Sequence, residues 1–277
     1  MSRRSKWRVA RWLCAAFAAA GMAGVVAAEP PLPAHASFTI DSVVLKEVRR
    51  INVYTPPGYD RESRAGYPVL YMPDGGLQED FPHVASDVDA AVRAGEMRPM
   101  IVVGIENTER RRDMTGPTKV ASDREIAPRV GGSAAFRAFI ADELMPQVRR
   151  RYRTNGETAI VGESLAGLFV VETFFVQPKL FGTYIALSPS LWWNDMALAR
   201  GASARLQARQ ALDATLYVAS TSDDDLDAAG GGLLQIALRD HAPHGLRWFY
   251  QSWPRLQRAT IYRGASPAVF RQLFPLK

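Results

Sequence analysis

Short unbroken apolar runs alternate with longer stretches of helical spacing along most of this chain. The runs expected as strands are Phe38–Leu45, Arg50–Tyr54, Val69–Met72, Met100–Ile105, Thr158–Val161, Tyr184–Leu187, Leu216–Ala219 and Arg247–Tyr250. Those in the middle carry almost no polar residue, the pattern of strands covered on both faces. Between them, Phe136, Phe139, Ile140, Leu144 and Val148 recur at helical spacing within Ser133–Tyr152, with Ser133 placed to cap the start. Leu165–Val176, Met196–Gln207, Gly232–Arg239 and Pro267–Phe274 are the other expected helices. Strands alternating with helices predict one α/β domain around a mainly parallel sheet, with ligands at the carboxyl ends of its strands.

The first residues do not fit this alternation. Residues 1–28 open with Arg3, Arg4, Lys6, Arg8 and Arg11, continue through an apolar run from Trp12 to Val26, and close on Val26-Ala27-Ala28. A basic start, a short apolar stretch and a small-residue end are the marks of a secretory signal, so the expected product is periplasmic or secreted, without a stable membrane anchor once the signal is cleaved. A Pro-rich segment, residues 29–37, would then precede the globular domain over 38–277. This division changes how the charge is read. The chain carries +6, but five basic residues and no acid lie in the leader, which leaves the body nearly neutral and gives no electrostatic case for nucleic acid. Cys14, the single cysteine, is also in the leader, so a cleaved protein has no disulfide, thiolate metal site or cysteine nucleophile.

The strongest local signal follows the expected strand Thr158–Val161. There the chain reads Gly162-Glu163-Ser164-Leu165-Ala166-Gly167 and runs into an apolar helix. A serine on such a strand-to-helix turn presents its hydroxyl at the sheet edge, and small residues two before and two after it allow the close approach. Ala166 stands where glycine is usual. The alternative is a serine that only caps a helix. The turn also leaves the Leu165 amide at a helix N-terminus, suited to an oxyanion. A second donor is expected after Val69–Met72, where Gly75 and Gly76 permit close backbone approach, unless this stretch is simply a turn.

Together with this elbow, Tyr67–Tyr71 leading to Asp74-Gly75-Gly76, Ile101–Asn107 with Arg112-Asp113, and Ser188-Pro189-Ser190-Leu191-Trp192-Trp193 resemble the esterase D and enterobactin-esterase branch of the α/β-hydrolases. The likeness runs from about residue 38 to the C-terminus. It implies a single α/β-hydrolase domain, a mainly parallel central sheet flanked by helices, and hydrolysis of a small-molecule ester through a serine, an acid and a histidine. On that template the acid follows Leu216–Ala219, with Asp223 the first choice and Asp225 the second, although four acids so close together also suit an exposed loop.

The base is missing. The branch commonly places its histidine immediately before a segment like Ala259–Tyr262, and here that position is Arg258. An arginine stays protonated and cannot take a proton from serine. Of the four histidines, His35 lies in the N-terminal segment and His83 could reach the site mouth. His241 and His244 precede the last strand and should lie at the opposite end of the sheet. Arg110, Arg111 and Arg112 are placed to frame an anionic substrate or to form a solvated loop. Trp192 and Trp193 are placed to form an aromatic wall or part of the core, and Glu163 to line the pocket or to bond locally. No metal-ligand spacing or phosphate-cradling loop is found, and no cofactor is expected. Two functions remain open: an exported serine esterase, weakened by Arg258, and a non-catalytic ligand-binding protein on the same fold.

Overall fold

The computed structural model describes residues 32–60, 66–127, 129–221 and 225–276, apart from the side chains of 225–229. The expected leader and most of the Pro-rich segment lie outside these residues. Eight strands form the sheet: His35–Ser42 (β1), Glu47–Tyr54 (β2), Tyr67–Pro73 (β3), Ile101–Ile105 (β4), Thr154–Glu163 (β5), Thr183–Leu187 (β6), Ala211–Ser220 (β7) and His244–Ser252 (β8). Each overlaps an expected run. The helices are Phe81–Arg93 (α1), Arg110–Met114 (α2), Ala121–Glu125 (α3), Ser133–Ala138 (α4), Met145–Arg151 (α5), Leu165–Val176 (α6), Trp193–Arg200 (α7), Ala202–Gln207 (α8), Asp225–His241 (α9) and Ile261–Leu273 (α10). A π-helical turn, Phe139–Leu144, joins α4 to α5.

The strand order is β1-β2-β4-β3-β5-β6-β7-β8. β1 and β2 are antiparallel, as are β2 and β4, while every pairing from β4 through β8 is parallel. Alternate residues of each central strand enter two separate cores. Val69 and Tyr71 join Phe136, Phe139, Phe169 and Phe174 on one face, whereas Leu70 and Met72 join Phe81, Val84, Val88, Val269 and Phe270 on the other. Both faces are therefore covered, which explains the unbroken apolar runs. In the parallel half, Glu163, Leu187, Ala219 and Gln251 stand side by side across four strands. Their carboxyl ends form a level row, and the turns leaving that row carry the candidate site.

Several helix expectations need correction. Helix α1 was not predicted; its buried face mixes Phe81, Val84, Val88 and Ala91 with His83 and Ser86, a diluted apolar stripe. Helix α10 begins at Ile261 and carries Pro267 inside it, rather than starting there. Met196–Gln207 is two helices broken at Gly201, and Asn194, Asp195 and Met196 adopt left-handed φ just before it. Gly132, not Ser133, holds the cap position of α4, because the Ser133 hydroxyl bonds the Glu172 carboxylate instead.

Candidate active site

Ser164 sits between β5 and α6 with φ 56° and ψ −117°. This backbone is strained for an L-residue and is held by its surroundings: the Ser164 amide donates to the Leu187 carbonyl, and its carbonyl accepts from Leu168 and Ser190. Small neighbours make it possible. A Cβ on Gly162 would come within 2.6 Å of the Ala166 backbone, and one on Gly167 within 3.0 Å of the Pro189 Cα. The Ser164 side chain makes no cap bond, which removes the reading of a simple helix cap. Leu165 is the first residue of α6, so its amide has no acceptor within the helix.

Arg258 reaches this serine from the turn between β8 and α10. Its Nη2 donates to Ser164 Oγ at 2.9 Å and to Ser190 Oγ at 2.7 Å, and the two hydroxyls are 3.3 Å apart. Ser190 is fully buried. The expected missing base is thus answered by a guanidinium directly on the nucleophile position. No histidine replaces it among the described contacts. His241 ends α9 beside Gln207, and His244 opens β8, both at the end of the parallel strands opposite Ser164. His35 lies on the edge strand β1. His83 is buried edge-on against the Tyr262 ring, with Nδ1 3.3 Å from Asp80.

A cavity of about 510 Å³ opens beside Arg258, lined by Asp80, Glu163, Gln257, Ala259, Tyr262 and Arg263 as well. Burial pushes the Glu163 carboxyl up to about 8, against the pull of Arg110 and Arg258. The Tyr262 hydroxyl is buried without a hydrogen-bond partner. A larger cavity of about 600 Å³ lies around Pro68, Glu157, Thr158 and Thr183, at the starts of the strands. That is the wrong end of the sheet for Ser164.

Other expected residues are placed differently. The Gly75 amide donates to the Ile105 carbonyl, and the Gly76 amide to Glu79 at 2.7 Å. Both donors are already taken, one by the end of β4 and one within the turn, so neither is available to an oxyanion in this geometry. Of the arginine run, Arg110 forms a two-pronged pair with Asp74 near Glu163. Arg112 instead pairs with Glu47 and Asp113, and Arg111 with the Ile126 carbonyl, away from the cavity lining. Trp193 is core: it is buried and its Nε1 donates to the Gly116 carbonyl. Trp192 is half-buried against it. Asp223 lies outside the described residues. Asp225 opens α9, and its side chain is not among those described. Ser190 and Tyr262 were not singled out from the sequence. The signal for Ser190 was its place in the turn after β6, the strand beside β5.

An open, mainly parallel sheet in this strand order, with a strained serine between β5 and the next helix, defines an α/β-hydrolase fold with a nucleophile elbow. Residues 42–230 match the Esterase family, described as "Putative esterase", and the chain belongs to that family. Among curated proteins, it is 35% identical to the ferri-bacillibactin esterase BesA of Bacillus subtilis, over 47% of this chain and 50% of that protein. It is 24% identical to the iron(III) salmochelin esterase of Escherichia coli, over 57% of this chain and 36% of that one. The chain thus spans half or less of the length of these curated relatives. Among solved structures, an IroE-like serine hydrolase from Shewanella oneidensis superimposes with a TM-score of 0.79 at 26% identity, covering 87% of this chain and 80% of the other. The BES protein of Bacillus cereus shares the fold, with a TM-score of 0.76 at 20% identity over 87% and 96% of the two chains.

Proposed function

We propose that this protein hydrolyses small-molecule carboxylic esters through Ser164, and that the substrate is a siderophore ester. The observation that carries the reading is the strained Ser164 at the end of β5 beside the open Leu165 amide. In this reading Ser164 Oγ attacks the ester carbonyl and the Leu165 amide holds the oxyanion. The Ser164 proton passes by way of solvent water to the departing alkoxide, which leaves as the alcohol. A second water then cleaves acyl-Ser164, giving the free acid and returning a proton to Ser164 Oγ. Asp223, or failing it Asp225, is the acid of the arrangement. Ferri-bacillibactin and iron(III) salmochelin, named for two relatives, support the substrate class. The basic-then-apolar leader supports export to the periplasm or beyond.

Arg258 limits the rate. A guanidinium hydrogen-bonded to Ser164 occupies a lone pair of the nucleophile and cannot accept its proton. That contact also favours a second reading, a ligand-binding protein that retains the hydrolase cleft without turnover. Hydrolysis of nitrophenyl acetate by the native chain, Ser164→Ala and Arg258→His separates the two. Slow native turnover abolished by Ser164→Ala, and raised on the order of a hundredfold by Arg258→His, is expected. A native chain no faster than Ser164→Ala would leave the binding reading.

A further inference from the structure

We propose that Glu163 is the proton acceptor of this site, taking the Ser164 proton through a water and returning it to the departing alcohol. The inference rests on the reading of Ser164 as the nucleophile, and it names the group that holds the proton between steps. Glu163 ends β5 immediately before the serine, and its half-buried side chain lines the cavity of about 510 Å³ beside Arg258. Arg258 lines the same cavity, and its Nη2 lies 2.9 Å from Ser164 Oγ. A hydroxyl that accepts from a guanidinium must direct its own hydrogen elsewhere, here towards Ser190 Oγ or the cavity. A polar cavity of this size has room for a water that bridges serine and carboxyl.

Three described acids near the serine differ in what they already hold. Asp74 accepts twice from Arg110 and once from Asn107. Asp80 lies 3.3 Å from the His83 ring. No described residue donates a hydrogen bond to the Glu163 carboxyl, which leaves its oxygens to water from the cavity. The described groups that face it are Asp74 and Asp80 from the turn between β3 and α1, Arg110 from α2, and Arg258, Tyr262 and Arg263 around the start of α10. Burial outweighs the pull of Arg110 and Arg258 and pushes the carboxyl up to about 8. A proton acceptor of that strength suits work near neutral pH.

The transfers balance over a full turnover. As Ser164 Oγ bonds the carbonyl carbon, its proton moves to the bridging water, and one from that water moves to the carboxylate. The bond from carbon to the alcohol oxygen breaks, and the alkoxide draws the proton back. In the second half the carboxylate takes a proton from the attacking water and passes it to Ser164 Oγ as the acyl bond breaks. Glu163 ends as it began, a carboxylate.

Hydrolysis of nitrophenyl acetate by the full chain, followed across neutral and alkaline pH with the rate of Ser164→Ala subtracted, tests this. Native kcat/KM is expected to rise with pH and level off above about 8. Glu163→Gln should lower that plateau at least about tenfold, through kcat more than KM, and lose the inflection. Glu163→Asp, which keeps the carboxyl on a shorter stem, should retain an inflection with a lower plateau. Unfolding midpoints show whether each variant is folded, and the native profile decides alone if neither is. A native profile without an inflection near that pH, or an inflection that survives Glu163→Gln, would overturn the proposal. Turnover that needs Ser164 but lacks the Glu163 inflection sinks this inference alone, whereas no Ser164-dependent turnover sinks both readings.

Discussion

Ser164 holds a backbone conformation that glycine adopts without strain and serine does not. The hydroxyl is therefore kept at a cost in stability that its neighbours must offset, and removing the side chain should recover part of it. Ser164→Gly is expected to raise unfolding free energy by about 1 kcal/mol while abolishing ester cleavage, as read from urea midpoints beside activity. An equal or lower midpoint would mean that the contacts of Ser164 Oγ with Arg258 and Ser190 outweigh the strain. At this scale the sequence was informative about the elbow, because the backbone there demands small residues at Gly162, Ala166 and Gly167, and residue size is written in the chain. It was misleading about Gly75 and Gly76. Glycine permits close approach, but whether an amide stays open depends on which acceptors lie nearby, here the Ile105 carbonyl and Glu79.

Between elements, the corner of β2 and α2 shows a similar dependence on distant partners. Arg49 is completely buried, and it bonds Asp113 at 2.6 Å, Glu47 and Thr108 at 2.8 and 2.7 Å, and the Glu106 carbonyl at 3.0 Å. Arg112 completes the group from the other side of Asp113. The arginine once expected to face substrate is thus part of the clasp that fixes α2 against the sheet, and with it Arg110, the first residue of α2, against Asp74. Asp113→Ala leaves Arg49 buried beside one remaining, half-exposed carboxylate, and should cost about 3–5 kcal/mol in a urea unfolding experiment. A cost below 1 kcal/mol would show that Glu47 alone suffices. All eight strands were legible, the central ones because two covered faces force continuous apolar runs, whereas the edge strands β1 and β8 are largely exposed. Helix α1 was not, because His83, Ser86 and Asp87 interrupt its stripe and only tertiary packing against α10 completes it.

Over the whole molecule, a buried acid couples stability to pH. Glu163 binds its proton more tightly in the folded chain, with a value raised to about 8 by burial, than in the unfolded one at about 4.5. Between those values the folded state holds more protons, so the contribution of Glu163 to stability is intact below about pH 4.5 and declines as pH rises through 8. Glu163→Gln should flatten that decline and be the more stable form at pH 9, by on the order of a few kcal/mol, in unfolding curves taken from pH 5 to 9. Identical pH dependence in the two proteins would mean that Glu163 titrates as an ordinary surface acid. The departure at Arg258 was readable from the sequence, but its contact with Ser190 was not, because that contact joins turns far apart in the chain.

The level row formed by Glu163, Leu187, Ala219 and Gln251 has a bearing on how such a protein can change over generations. The hydrogen bonds that set the row belong to the strands, whereas Arg258 hangs from a turn beyond them. Exchanging that one side chain leaves the ladder untouched, so selection can trade turnover for retention, or reverse the trade, without first crossing a valley of misfolded intermediates.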